Sequence, residues 1–219
     1  MQIMSECESD EDVPQLPADT LAALQEFYTD QAARDRQLQE AIQAQDVGKV
    51  DLEEDWNLSQ FWYSDDTADA LTREVLDVAG PSGSVACLSC PTLYKRLREV
   101  KPDTCRVVLL EYDRRFNIYG EDFVFYDFNS PLKFDQPLEG KSFDIVVADP
   151  PYLSDNCLTK TAITVKLLTK GKIMLCTGEK MEDLASRLLG VEPCTFIPQH
   201  TRNLGNEFRC YVNYKTGLS

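Results

Sequence analysis

An α/β fold is what this 219-residue sequence predicts, with a mostly parallel sheet, helices on both faces and an antiparallel hairpin at its C-terminal end. Two observations predict it. Beyond Gly80, short apolar runs alternate with helical patterns, which is the arrangement of βαβ units. The last two runs are instead separated by a turn-rich stretch, Thr201-Arg202-Asn203-Leu204-Gly205-Asn206, which suits a hairpin. The length fits one sizeable domain with a terminal extension.

Taken in order, residues 1–17 are acidic, carry Pro14 and Pro17 and show no apolar period, the composition of a disordered tail. Residues 18–56 read as a helical extension. From Asp19, a good N-cap residue, Leu21, Leu24, Phe27, Tyr28, Leu38 and Ile42 recur near helical spacing, and Gly48 follows as a stop. A charged connector, Asp51 to Asp55, then leads into Trp56 and a core domain over 57–219. Its strands are expected at Ser84 to Leu88, Arg106 to Leu110, Phe123 to Tyr126, Phe143 to Ala148 and Lys172 to Cys176, with hairpin arms at Thr195 to Pro198 and Phe208 to Tyr214.

Composition removes several function classes. No stretch approaches the roughly 20 apolar residues of a membrane-spanning helix, and the N-terminus lacks the basic start and apolar run of a secretory signal. An intracellular protein without membrane partners is expected. A lone histidine, His200, excludes His-dependent triads and multi-histidine zinc hydrolysis. Of eight cysteines, Cys105, Cys176 and Cys210 lie in or beside apolar runs and read as reduced core thiols; the one CxxC, Cys87-Leu88-Ser89-Cys90, has no second pair to complete a zinc site, so no metal is expected. The net charge is −15, and residues 1–56 hold 15 of the 37 acidic but 3 of the 22 basic residues. That distribution argues against nucleic acid, whose phosphates call for a basic face, and suits either a basic protein partner or an acidic tail that is simply kept solvated.

In an open parallel sheet, ligands bind beyond the carboxyl ends of the strands. After Phe143 to Ala148 comes Asp149-Pro150-Pro151-Tyr152. Two prolines fix the backbone and remove two amide donors, so nearby carbonyls face outward as acceptors. With the Asp149 carboxylate they suit an amine, holding its hydrogens and aiming its lone pair while the Tyr152 ring lies against the group that carries it. Glu111 follows the second run, where nucleotide-type folds place an acid to accept from both ribose hydroxyls, with Asp113 as the near substitute. Asp127, between Tyr126 and Phe128, suits an adenine amino group beside an aromatic ring. In Gln60-Phe61-Trp62-Tyr63-Ser64-Asp65-Asp66-Thr67, three consecutive aromatics cannot all face one core, so at least one is expected at a cleft.

These residues resemble the class I S-adenosylmethionine methyltransferases with an Asp-Pro-Pro-Tyr loop. Gln60 to Ser64, Ala86-Cys87-Leu88-Ser89-Cys90-Pro91, Ala148 to Tyr152 and Asn206-Glu207-Phe208-Arg209 are similar to a small family once labelled adenine-N6 DNA methyltransferases and now understood as lysine methyltransferases of translation elongation factor 1-alpha. The resemblance spans about residues 20 to 215. It implies a Rossmann-like sheet of seven strands, a cytoplasmic location, S-adenosyl-L-methionine as donor and a lysine as acceptor, and a monomer is expected. Carried onto this chain, Gln60, Phe61, Trp62, Tyr63, Thr67, Ser89, Cys90, Pro91, Glu111, Tyr112, Asp113, Tyr126, Asp127, Phe128 and Asp149 would hold the cofactor. Asp149, Pro150, Pro151 and Tyr152 would be catalytic, and Tyr152, Asn206, Glu207 and Phe208 would meet the substrate. One departure from the wider class is that Ser89-Cys90-Pro91-Thr92 stands where a Gly-x-Gly loop is usual. An adenine N6 acceptor, which uses the same loop, and a non-catalytic member of the fold are the alternative readings.

Overall fold

A computed structural model describes residues 60–202 and 205–218, together with positions 22, 25, 26, 29, 33, 36, 40, 52, 54 and 58. The chain divides into two compact units, Met1–Val50 and Asp51–Ser219, at the near edge of the charged connector. In the first unit, Ala22, Gln25, Glu26, Thr29, Ala33, Arg36 and Glu40 are helical and exposed, whereas the apolar positions on which the expected amphipathic helix rests lie outside the described residues. The acidic tail expected over 1–17 lies outside the described residues.

The second unit opens on α1 (Asp65–Ala79), capped by the Ser64 hydroxyl, which accepts from the Thr67 amide. Asp65 and Asp66 in its first turn favour the helix dipole, and Gly80 at φ 75° ends it. Then follow β1 (Ser84–Leu88), α2 (Pro91–Val100), β2 (Arg106–Glu111), a 3₁₀ segment at Arg114–Asp122, β3 (Phe123–Phe125) and β4 (Phe143–Ala148). The chain continues through α3 (Asp155–Leu168), β5 (Thr169–Gly178), α4 (Glu182–Leu189), β6 (Glu192–Pro193) and β7 (Phe208–Val212).

The strands form one seven-stranded sheet in the order β3-β2-β1-β4-β5-β7-β6. The first five pair in parallel, and β7 pairs antiparallel with both β5 and β6. Strands covered on both faces read as continuous apolar runs, which is why β1, β2 and β4 were legible. Their side chains alternate between two cores. Val85, Cys87, Val107, Leu109, Ile145 and Val147 pack with Leu71 and Val75 of α1 and Leu93 and Leu97 of α2. Ala86, Leu88, Val108, Leu110, Val146 and Ala148 pack on the opposite face with Leu158 and Val165 of α3 and Ala185 and Leu189 of α4. Seven cysteines are described; all are free, and only Cys194 is not fully buried. Among the described residues no helix is long and apolar enough to cross a membrane.

The hairpin differs in one arm. Its first strand is Glu192–Pro193, earlier than the expected Thr195 to Pro198. Past Cys194, whose amide donates to the Cys210 carbonyl at 2.9 Å, the chain leaves the ladder, and Pro198 has no amide to offer it. Residues 199–201 instead lie against the start of the unit: the Ser64 amide donates to Gln199, the Thr201 amide donates to Trp62, and Tyr63 and His200 form an antiparallel bridge.

Candidate active site

Strand order reverses direction between β1 and β4, and a crevice opens beyond the carboxyl ends at that point. The loops leaving the strands stay tied to the sheet. The Ser89 amide donates to Leu110, the Asp149 amide to Leu88, and the Tyr126 amide to Glu111, at 2.8, 3.0 and 3.0 Å. The result is a cavity of about 710 Å³, within the range that takes a nucleotide-sized ligand.

The structure brings most of the sequence-predicted residues to it. It is lined by Gln60, Phe61, Trp62 and Tyr63 from the segment before α1, Ser89, Cys90 and Pro91 after β1, Glu111 and Tyr112 at the end of β2, and Tyr126, Asp127 and Phe128 after β3. Asp149, Pro150, Pro151 and Tyr152 after β4 line it too, as do Asn206 and Phe208. All three consecutive aromatics line the cleft, while the Trp62 ring also meets Phe116 edge-on.

Three predicted residues lie outside this lining. Thr67 is buried, and its hydroxyl accepts from the Gln199 amide at 2.9 Å, so it holds α1 to the 199–201 segment. Asp113 is engaged by Arg115, with Nε at 2.7 Å and Nη2 at 2.6 Å, and by Gln60 Nε2 at 3.0 Å, which leaves Glu111 as the acid that faces the cavity. Glu207 is exposed, and its carbonyl accepts from the Glu179 amide. It lines a smaller neighbouring hollow of about 320 Å³ that shares His200, Asn206 and Phe208 with the main cleft.

Leu58, Thr92, Asn129, Leu153, Lys180, His200 and Gly205 also line the cleft and were not picked out. Lys180 was within reach of the strand-end rule. Because β5 runs to Gly178, two residues past the expected Cys176, its carboxyl end delivers Lys180. Asn129 follows an Asp-turn signal, its amide donating to Asp127 Oδ1 at 2.8 Å. His200 carried no local signal; its position depends on a pairing across more than a hundred residues.

Burial sets the charges. Desolvation pushes the Glu111 carboxyl up to about 7, against the pull of the Asp113 and Tyr112 amides that it accepts. The Asp149 carboxyl is likewise pushed up to about 7 by desolvation, offset by a hydrogen bond that Tyr63 donates to Oδ2 at 2.5 Å. Both carboxyls are therefore raised above their ordinary range in the folded protein. Their contribution to stability is full below about pH 4 and is lost as pH rises through about 7. We expect Glu111→Gln to raise the melting temperature of the ligand-free protein by a few degrees at pH 8 and by less at pH 5, measured by scanning calorimetry; a lower melting temperature at pH 8 would contradict this charge assignment.

The backbone here is strained and crowded. Ser89 sits at φ 56°, a left-handed conformation that glycine adopts freely and that costs a serine on the order of 1 kcal/mol. A turn that favours glycine is thus made here with a serine. At the other end Gly178 leaves room for Leu153, since a Cβ there would lie 3.0 Å from that side chain. The end of β5 is in this way packed directly on the residue that follows the Asp149-Pro150-Pro151-Tyr152 tetrad. Tyr152 is 44% exposed and meets Phe128 edge-on with ring centroids 5.7 Å apart, so two aromatic rings flank the mouth beside Asp149.

The family model described as probable N6-adenine methyltransferase matches residues 54–216, three quarters of the chain. The EEF1A lysine methyltransferase 1 of Gallus gallus is 56% identical over 212 residues, covering 96% of this chain and 99% of its own. The chain belongs to the EEF1A lysine methyltransferase 1 family. The Homo sapiens member of that family is 52% identical over 218 residues and 98% of both chains. A branched-chain polyamine synthase from Thermus thermophilus superimposes with a TM-score of 0.53 at 13% identity, over 80% of this chain and 61% of that one, and shares the fold alone.

Proposed function

We propose that this protein transfers a methyl group from S-adenosyl-L-methionine to a lysine side chain, and that the lysine belongs to translation elongation factor 1-alpha. What supports the reading is a cleft lined by both an acceptor carboxylate, Asp149, and a second buried acid, Glu111, in a member of the EEF1A lysine methyltransferase 1 family. The cavity suits the cofactor. Glu111, Asp127 and Asp149 make its lining acidic, which favours a sulfonium cation. Glu111 is the acid for the ribose hydroxyls, and Asp127 with Phe128 suits the adenine. When bound, the cofactor supplies an electrophilic methyl carbon.

The chain's own residues align and deprotonate the acceptor. A lysine ammonium has an ordinary pKa of about 10.4 and must lose a proton before its lone pair forms the new N–C bond. The cofactor, held by Glu111 and Asp127, would supply the methyl group and keep the electron pair of its S–C bond on sulfur. The Asp149 carboxylate accepts an amine hydrogen, the acceptor carbonyls of the rigid tetrad complete its orientation, and the Tyr152 face stabilises the cationic product by cation–π contact worth about 0.5 to 2 kcal/mol. The excess of acid over residues 1–56 favours encounter with a basic acceptor protein. The enzyme works in the cytoplasm, where that acceptor is used, and as a monomer.

The family description names adenine N6, and that acceptor is the second reading. Transfer of labelled methyl to purified elongation factor 1-alpha, with DNA and RNA in parallel, separates the two. Label on the protein is expected; label confined to nucleic acid would overturn the lysine assignment.

A further inference from the structure

The Tyr63 hydroxyl has no partner that a cofactor-binding role explains. Its ring is 3% exposed, and the hydroxyl donates to Asp149 Oδ2 at 2.5 Å, across 86 residues of sequence. The ring is held from several sides. His200 packs against it with centroids 5.1 Å apart, and its own backbone bridges to His200. On either side, the Ser64 amide donates to Gln199 and the Thr201 amide to Trp62. A further strap is Glu54, whose Oε1 accepts from the Trp62 amide at 2.7 Å and from the Thr201 hydroxyl at 3.2 Å.

A carboxylate on a single side-chain bond pair is free to rotate, and an acceptor amine needs one oxygen in one place. Tyr63 removes that freedom. We propose that Tyr63 is a positioning residue for methyl transfer: it holds Oδ2 of Asp149 from a strapped, buried ring and thereby presents Oδ1 to the incoming amine. Oδ1 then accepts the proton that the ammonium sheds and passes it to water, so that the amine attacks uncharged. The inference rests on the methyltransferase reading of the cleft.

The hydrogen bond also favours the ionised form of Asp149, which burial opposes. The other titratable groups around the pair are Cys90 from the loop after β1, Cys176 of β5 behind Tyr63, and His200; Glu111, Asp127 and Lys180 line the same cavity. Burial holds the Cys90 thiol well above its ordinary range and lowers His200, so neither competes with Tyr63 as a charged partner at neutral pH.

Tyr63→Phe tests this, because it keeps the packed ring and removes only the hydroxyl. The expected result is kcat lower by roughly 10- to 100-fold, the loss of one hydrogen bond to a charged group. The acidic limb of the pH profile should move to higher pH. Cofactor Kd, measured by calorimetric titration with S-adenosylhomocysteine, should stay near wild type, and the melting temperature should fall by no more than several degrees, the loss of one buried hydrogen bond. Wild-type kcat and pH profile in Tyr63→Phe, with Asp149→Ala inactive, would overturn the positioning role and leave the site assignment standing. A weaker cofactor Kd at unchanged kcat would make Tyr63 a cofactor contact and overturn it as well. Activity surviving in Asp149→Ala would instead remove the reading on which the inference rests.

Discussion

Asp149→Ala abolishes methyl transfer, lowering kcat by at least about 10³-fold, while cofactor affinity stays within a few-fold of wild type. The magnitude follows from what the side chain does. Removing one group that orients or stabilises the reacting centre typically costs about 10² to 10³ in rate. Asp149 is asked to do two things, orient the amine and accept its proton. The structure also predicts that the damage stays local. The Asp149 backbone amide, not its side chain, ties the loop to Leu88, and Pro150 is buried. The tetrad therefore keeps its course when the carboxylate is removed. Single-turnover kinetics with saturating S-adenosyl-L-methionine, paired with a binding titration, checks both halves. A kcat within ten-fold of wild type would displace Asp149 from the centre of the mechanism.

Glu111→Ala shows the complementary pattern: cofactor Kd rises by about 100-fold, with a smaller effect on kcat at saturation. Two hydrogen bonds from ribose hydroxyls to a buried carboxylate are worth about 3 kcal/mol together, since bonds to charged groups contribute about 1.5 to 3 each and do not add fully. Asp113 does not take over, being committed to Arg115 and Gln60. Because burial holds Glu111 up at about 7 and the ribose hydroxyls favour its ionised form, wild-type affinity should rise from pH 6 to pH 8. Titrations with S-adenosylhomocysteine, which lacks the sulfonium charge, isolate this effect. Unchanged affinity in Glu111→Ala would move the ribose site elsewhere.

The sheet was legible because its central strands are buried on both faces, so Val85 to Leu88, Val107 to Leu110 and Ile145 to Ala148 read as unbroken apolar runs. The strand-end rule then delivered Glu111, Asp127 and Asp149 to one cavity without further information. What escaped depends on distance along the chain. The last two residues of β5, Thr177 and Gly178, fall outside its apolar run, which hid where the strand ends and with it Lys180. The bridge between Tyr63 and His200 joins two segments whose local patterns say nothing of each other, so the sequence offered Tyr63 as a cofactor residue and not as the donor to Asp149. Thr67 and Asp113 were marked by their neighbours in the motifs; in the fold they brace the walls.

The account turns on the atom that receives the methyl group. Elongation factor 1-alpha, incubated with this protein and S-adenosyl-L-methionine and then digested for mass spectrometry, should carry its new methyl on the side-chain nitrogen of one lysine, and none when Asp149→Ala is used. Methyl found on no lysine, or found equally with Asp149→Ala, would contradict the assignment of this cleft.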